Sequence, residues 1–157
     1  MKPIQLIAAV ILLATTSGTA QAQNFTFQST ANPGTTVGGP DMSGYLAAGA
    51  TWTGTSTVTW ADGKKSVDKY TCVSTTQPHH AKIFDMHTIC DGTGPDGVYS
   101  STWGCNWTSK DKAYTGCVGG LVGRTGVYAG RGGTITFMGR SGTGSGTGTW
   151  AAVPAAN

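Results

Sequence analysis

The sequence places an acid and an imidazole two residues apart, at Asp85 and His87. Residues i and i+2 of a β-strand point to the same face, so the two side chains would be neighbours, flanked by Ile83 and Ile89. If that face lines an apolar interior, the pKa values of both groups are shifted and the pair can move protons. If it faces solvent, the pair is a weak surface contact. Both readings stay open for the strand predicted at residues 81–90, because a register change of one residue exchanges its faces.

Three histidines and a methionine form a second group with ligand chemistry, namely His79, His80, Met86 and His87. Imidazole and thioether groups suit copper in an exported protein. Met86 and His87 point to opposite faces of a regular strand, so only one of them can join the loop histidines. We expect no cofactor, with copper bound by His79, His80 and His87 as the alternative.

Aromatic residues are plentiful, with five Trp and five Tyr. Their rings can stack on a sugar or an aromatic ligand, but large rings also form cores and close the ends of barrels. Trp103 and Trp107 share parity with Cys105, which predicts a buried face. Arg124 lies beside a glycine turn and could clamp an anion. The candidate ligand-binding residues are therefore Trp103, Trp107, Arg124 and Tyr128, and the candidate proton carriers are Asp85, His87 and Tyr70.

Several enzyme signatures are missing from the sequence. It has no serine nucleophile elbow, no phosphate-binding loop and no haem-attachment motif. Glutamate is absent and the seven aspartates are scattered, which disfavours a glycosidase with paired carboxylates. Positive charge is weak and scattered too, so we expect no binding to nucleic acid.

Residues 1–22 have the pattern of a secretory signal peptide. Lys2 precedes an apolar run, and Ala20-Gln21-Ala22 matches the small-x-small cleavage pattern. We expect export to the periplasm or the extracellular space and a mature chain that begins at Gln23. The apolar run is shorter than the roughly 20 residues of a membrane span. The later strands are too rich in Gly and Thr for a lipid-facing barrel, so we expect no membrane insertion.

The mature chain would contain four cysteines, Cys72, Cys90, Cys105 and Cys117. An even number in an oxidising compartment predicts two disulfides, for which three pairings exist. If a hairpin turn is centred near Asp111, Cys105 and Cys117 face each other on adjacent strands, and Cys72 is left for Cys90. The spacing of the cysteines does not match a structural zinc site.

Composition and periodicity predict a β protein with little helix. β-branched residues are common and good helix formers are scarce. Short alternating runs recur at intervals of roughly 8 to 12 residues between turn signals, which is typical of a sandwich or a closed barrel. We expect residues 23–44 to form a polar N-terminal arm with at most one strand at residues 25–28, and residues 45–157 to form the β domain. Repeated glycines at residues 117–150 suggest bends or close approaches of the backbone to a ligand.

Two segments carry a resemblance to a known family. Residues 119–137, GGLVGRTGVYAGRGGTITF, resemble the GGTG-(R/K)-(Y/F)-AG-x-x-G signature of bacterial exported proteins related to the allene oxide cyclase and dirigent barrels. Residues 89–99, ICDGTGPDGVY, are similar to the C-x-x-x-D-x-D-G-D turn that often precedes that signature. Arg124 replaces the second glycine of GGTG, Val127 stands where a basic residue is common, and the acidic turn lacks its final Asp.

The resemblance covers residues 73–150 and implies an eight-stranded antiparallel barrel, often trimeric, with a cavity for a small apolar or aromatic molecule. No catalytic residue of the plant enzymes matches a motif in this sequence. The predicted fold class is thus all-β, a single antiparallel barrel of about eight strands with short Gly-rich turns.

Three functions follow from these patterns. The leading hypothesis is a small exported barrel, stapled by disulfides, that binds a small apolar or aromatic molecule or has a structural role. The second is an isomerase- or cyclase-like enzyme of the same barrel class, in which Asp85, His87 or Tyr70 moves a proton. The third is a periplasmic copper-binding protein.

Overall fold

The computed structural model of this protein describes residues 21–78, 83–140 and 142–152. In these ranges the secondary structure consists of nine strands and one short 3-10 turn at Gly126–Tyr128. No helix in the described ranges has the length and apolar character needed to cross a membrane. The strands are β1 (Gln23–Ala31), β2 (Thr35–Pro40), β3 (Leu46–Trp60), β4 (Lys65–Thr76), β5 (Met86–Gly94), β6 (Gly97–Trp107), β7 (Tyr114–Gly123), β8 (Gly132–Arg140) and β9 (Thr143–Trp150).

Eight of these strands close into an antiparallel barrel, which confirms the predicted fold class. Strands β3 to β9 form a meander in which each strand pairs with the next. Strand β1 closes the barrel because it pairs with β9 on one side and with the second half of β3 on the other. Strand β2 pairs with the first half of β3 and is the additional, ninth strand.

The N-terminal segment contributes more to the barrel than its polar composition suggested. Residues 23–44 were expected to form an arm with at most one short strand, whereas β1 spans nine residues and β2 follows it. Phe25 and Phe27 point into the core and are almost fully buried. The residues between and around them are polar because they face outward, so this short alternation resembles a loop in the sequence.

The strand predicted at residues 81–90 begins later than expected. Strand β5 starts at Met86, and its inward side is that of Met86, Thr88 and Cys90. A continuous alternation through residues 81–90 would place Phe84 on that side, but Phe84 packs against the outer surface of Gly104 and edge-on against His87. The alternation fails there because residues 83–85 form a bend, where the period of two does not apply.

Two disulfides staple neighbouring strands. Cys72 and Cys90 are directly opposite each other on β4 and β5, and Cys105 and Cys117 are opposite each other on β6 and β7. The hairpin at residues 108–113 sets the second register, so the predicted pairing is confirmed. All four cysteines point into the barrel.

The glycines of β9 make room for aromatic rings of neighbouring strands. Gly144, Gly146 and Gly148 point inward, and a Cβ atom at Gly148 would overlap the ring of Phe25. Likewise, a Cβ at Gly146 would meet the ring of Phe27 and the carbonyl oxygen of Thr136. The glycine-rich end of the sequence therefore packs rings against bare backbone, a device known from designed barrels.

Candidate functional site

The barrel encloses a cavity of about 450 Å³. This volume lies within the usual range for small-molecule pockets, roughly 300 to 1,000 Å³. Most of its wall is apolar or aromatic, and rings project into it from several strands. Representative lining residues are Phe27, Trp52, Tyr70, Trp103, Leu121 and Phe137.

One end of the cavity is closed by the segment that connects β7 to β8. Tyr128 from this segment inserts into the barrel and is 1% exposed. Its ring stacks on Trp150 with centroids 4.8 Å apart, and Tyr99 packs edge-on against it at 5.4 Å. A Cβ at Gly123 would overlap the backbone of Tyr128, so glycine is needed there.

Arg131 holds this closing segment in place. Its guanidinium lies over the ring of Trp150, 5.9 Å from the centroid. It donates hydrogen bonds to the carbonyl oxygen of Ala151 at 3.0 Å and to the side chain of Gln23 at 2.6 Å. The arginine thereby ties the segment to β1 and to the end of β9.

The cavity opens at the opposite end of the barrel, because the Tyr128 end is filled. The lining residues there come from the end of β1 and from the turn between β8 and β9, and they include Asn32 and Thr143. Arg140 also lines this mouth, stacked over the ring of Tyr114 at 5.0 Å. The mouth therefore carries a positive charge.

The most unusual group in the cavity is the carboxyl of Asp68, which is 1% exposed. Its Oδ2 accepts a hydrogen bond of 3.1 Å from the hydroxyl of Tyr99, whereas Oδ1 has no hydrogen-bond partner among the described residues. Burial raises the pKa of Asp68, and the nearby charge of Asp96 raises it further, against the opposing effect of the Tyr99 hydrogen bond. Burial and the charge of Asp68 in turn raise the pKa of Tyr99.

A second carboxyl lies close to the first. Asp96, in the turn between β5 and β6, forms an ion pair of 2.7 Å with Lys64 through Oδ1. In the described part of the chain its buried Oδ2 has no hydrogen bond. Burial raises the pKa of Tyr128, and the charges of Asp68 and Asp96 raise it further. The charges of both carboxyls therefore reach Tyr128, the residue that closes this end of the cavity.

Tyr70, one of the three predicted proton carriers, lines the cavity. It lies opposite Gly54 on β3, and its ring covers this glycine, where a Cβ atom would overlap it. Burial raises the pKa of Tyr70, and a hydrogen bond with Ser29 opposes that shift. Its predicted role in proton transfer stays a prediction.

The other two predicted carriers lie elsewhere. His87 is exposed on the outer face of β5, next to the ring of Phe84. Asp85 precedes β5, and its carboxylate accepts a hydrogen bond of 2.8 Å from the backbone N–H of Trp107. The structure does not bring either residue to the cavity wall.

The four candidate ligand residues are divided between the cavity and the outside. Trp103 and Tyr128 line the cavity, and Nε1 of Trp103 donates a hydrogen bond of 2.8 Å to Ser101. Trp107 lies at the end of β6 and is not part of the wall. Arg124 forms an ion pair of 3.0 Å with Asp91 on the outer surface.

The predicted copper site lies only partly within the described residues. His79 and His80 lie outside the described residues. The described ranges contain no group of three or more His, Cys, Asp or Glu side chains that could hold a metal ion. Copper binding by His79, His80 and His87 stays a prediction.

Sequence reasoning missed Asp68 as a site residue, although a signal for it was present. Asp68, Tyr70 and Cys72 share one face of β4, because they are two residues apart. A cysteine expected to be disulfide-bonded indicates a buried face, the argument that was applied to Trp103. Applied to β4, it would have predicted a carboxyl inside the barrel.

Comparison of the sequence with known proteins does not assign a function to this cavity. No protein-family model and no curated protein matches the chain.

Proposed function

We propose that this protein binds a small, largely apolar or aromatic molecule in the barrel cavity. An eight-stranded barrel is wide enough either to be filled by side chains or to hold one small ligand. The observation that carries the proposal is the cavity of about 450 Å³ with aromatic walls. Small inward residues such as Ser56 and Ser101 leave this space between the rings.

The polar groups of the cavity support binding over a purely structural role. Ligand pockets combine apolar walls with a few polar groups that orient the ligand. Here these groups are Asp68, Tyr99 and Tyr70. A barrel that served only as a scaffold would be more stable with apolar side chains at such buried positions.

We also propose that the protein is exported and matures at Gln23. Two disulfides indicate an oxidising environment, because thiols remain reduced in the cytosol of most organisms. The signal-like pattern of residues 1–22 supports the same conclusion. The periplasm and the extracellular space are both consistent with these observations.

The resemblance to the allene oxide cyclase and dirigent barrels enters as a second part of the proposal. An eight-stranded antiparallel barrel with an apolar cavity is the architecture that this resemblance implies. The trimeric state that it implies stays a proposal. The isomerase- or cyclase-like alternative is supported by Tyr70, the one expected proton carrier in the cavity wall.

The test of binding uses N-phenyl-1-naphthylamine, a neutral fluorescent probe that brightens in apolar pockets. We expect saturable binding to the wild type and a loss of affinity of about tenfold or more in Thr88→Trp, whose ring would fill the cavity. Thr93→Trp is the matched control, since Thr93 is on the same strand and faces outward. Equal affinities in the two variants would show that the probe binds elsewhere.

Native mass spectrometry of the exported protein, purified without chelator, tests the remaining alternatives. A co-purified organic molecule would identify the ligand class, whereas a mass increase of one copper ion would favour the histidine site. The same spectrum reports cleavage before Gln23, the two disulfides and the number of subunits. A single bare chain that binds no probe would leave only a structural role.

A further inference from the structure

We propose that the ligand is an uncharged aromatic molecule and that the hydroxyl of Tyr70 donates a hydrogen bond to one of its oxygen atoms. The inference rests on the proposed function and adds the charge of the ligand and the group that orients it. The recognised molecule would be an aromatic ketone or ester, with its oxygen against the wall formed by β1, β3 and β4.

The first argument is the distribution of charge around the cavity. Among the described residues that line it, only Asp68 and Arg140 are charged. Asp68 lies at the closed end, where Oδ2 is bonded to Tyr99 and Oδ1 packs against the backbone of Gly94. Arg140 is exposed at the rim and stacks over Tyr114. An ion in the middle of the cavity would lose its water without gaining a partner of opposite charge, so a neutral ligand fits best.

The second argument is the position of the Tyr70 hydroxyl. The ring of Tyr70, on β4, lies across the bare backbone of Gly54 on β3, where an added Cβ atom would overlap the phenol oxygen. The ring thereby reaches over β3 toward β1, and its hydroxyl meets Ser29 there. Tyr70 and Ser29 both line the cavity. Two hydroxyl groups from strands that are not neighbours therefore form one polar spot on an otherwise mainly apolar wall.

The third argument is the direction of the hydrogen bond between these hydroxyls. Burial raises the pKa of Tyr70, so the phenol keeps its proton at neutral pH, and the hydrogen bond with Ser29 acts in the opposite direction. A hydrogen bond lowers the pKa of a phenol when it is donated to the phenol oxygen. Ser29 is therefore the donor of this pair. Since a hydroxyl can donate one hydrogen bond while it accepts another, the proton of Tyr70 remains for an oxygen of the ligand.

The opposite side of the barrel offers the ligand an apolar surface. In the closed order of the barrel, β1-β3-β4-β5-β6-β7-β8-β9, strand β3 lies across from β7. On that side the Trp103 and Phe137 rings pack edge-on at 6.4 Å, beside the disulfide of Cys105 and Cys117. Aromatic ligands pack well in such edge-on and stacked arrangements. The ring of the ligand is therefore expected at this wall, with its oxygen turned toward Tyr70.

The first test needs only the wild type. Competitive displacement of N-phenyl-1-naphthylamine compares 2-acetylnaphthalene with 2-naphthoate, which has nearly the same shape but is an anion at neutral pH. We expect the ketone to bind about tenfold tighter or more, because a carboxylate without a partner is costly to bury. Equal or tighter binding of 2-naphthoate would overturn the proposal.

The second test removes the Tyr70 hydroxyl. Tyr70→Phe should weaken binding of 2-acetylnaphthalene about three- to tenfold, the effect of one neutral hydrogen bond. It should leave the affinity for 2-isopropenylnaphthalene unchanged, because a CH2 group replaces the oxygen in that probe. Tyr114→Phe is the matched control, since it makes the same change on the outer surface and should affect neither probe. An equal loss for both probes in Tyr70→Phe, or no loss for the ketone, would contradict the proposed contact.

An infrared measurement on the wild type keeps the proposal testable where Tyr70→Phe does not fold. The carbonyl band of bound 2-acetylnaphthalene should lie at lower frequency than in hexane, because a donated hydrogen bond weakens the C=O bond. A band at the hexane frequency would rule out the contact with Tyr70. If N-phenyl-1-naphthylamine still binds the wild type and not Thr88→Trp, the proposed function survives that result; if no aromatic probe binds, both fail.

Discussion

The hydroxyl of Tyr99 lies 3.1 Å from Oδ2 of Asp68, inside a barrel whose other inward groups are mainly apolar or aromatic. Tyrosine and aspartate come from strands that are not neighbours, β6 and β4. The pair is possible because the residue between them on β5 is Gly92, over which the Tyr99 ring lies. Through Tyr99, which also packs against Tyr128, the Asp68 carboxyl is connected to the residues that close the barrel.

Replacement of Asp68 by Asn should change how stability depends on pH. The folded pKa of Asp68 is raised above the value of about 3.9 expected in the unfolded chain. The folded state therefore holds the proton more tightly, and the contribution of Asp68 to stability falls as pH rises from about 4 through the folded pKa. Asp68→Asn should remove this fall, as measured by urea unfolding at a series of pH values.

Asp91→Asn provides a control of opposite sign. The pKa of Asp91 is lowered by a hydrogen bond from Ser100 and by the charge of Arg124. Its stabilising contribution is present above about pH 4 and is lost as pH falls through the folded pKa. Parallel pH profiles for wild type and Asp68→Asn would contradict the assignment of a raised pKa to Asp68.

Removal of the Tyr128 ring should destabilise the barrel strongly. The ring is buried against Trp60, Trp150 and Tyr99, so Tyr128→Ala leaves a cavity at the closed end. We expect the free energy of unfolding to fall by about 3 to 5 kcal/mol, as for other large aromatic residues. The neighbouring Val127 is 55% exposed, and Val127→Ala should change stability by less than about 0.5 kcal/mol. Similar losses in both variants would show that Tyr128 is not the closing group.

An inward glycine of β9 should not tolerate a methyl group. In Gly146→Ala the new Cβ would overlap the backbone carbonyl of Thr136 and meet the ring of Phe27. Since backbone cannot move aside cheaply, we expect a loss of about 1 to 3 kcal/mol in the free energy of unfolding. Gly120→Ala on β7 is the matched change, because its nearest atoms would be at 3.7 Å and 3.9 Å. In thermal unfolding, Gly146→Ala should melt at a lower temperature than Gly120→Ala. Equal melting temperatures would refute the packing role of Gly146.

Each disulfide should contribute to stability by closing a loop in the unfolded chain. The sequence separations are 18 for Cys72–Cys90 and 12 for Cys105–Cys117. Chain entropy alone predicts about 3 kcal/mol for loops of this length. Urea unfolding of Cys72→Ala/Cys90→Ala and of Cys105→Ala/Cys117→Ala should therefore show losses of similar size. A reductant should lower wild-type stability by more than either pair of substitutions, and an unaffected protein would contradict the expectation.

The Cys105–Cys117 disulfide could be predicted from a short stretch of sequence. A hairpin near Asp111 was enough to place Cys105 opposite Cys117, because antiparallel register is determined by the turn between two strands. The same reasoning failed at Phe84, where the backbone bends before β5 begins. It also underestimated the N-terminal segment, since two apolar residues in a polar context predicted only a short strand at residues 25–28 and no second strand.

The sequence by itself determined the β class and a barrel of about eight strands, and it favoured the observed disulfide partners, because alternation, turn residues and cysteine spacing act over short distances. Only the tertiary structure decided which face of each strand points inward, and therefore that Asp68 and Tyr70 line the cavity while His87 faces outward. It also brought Tyr99 to Asp68 across the bare backbone of Gly92. Inside and outside are properties of the closed barrel, since a face becomes buried only when β1 pairs with both β3 and β9.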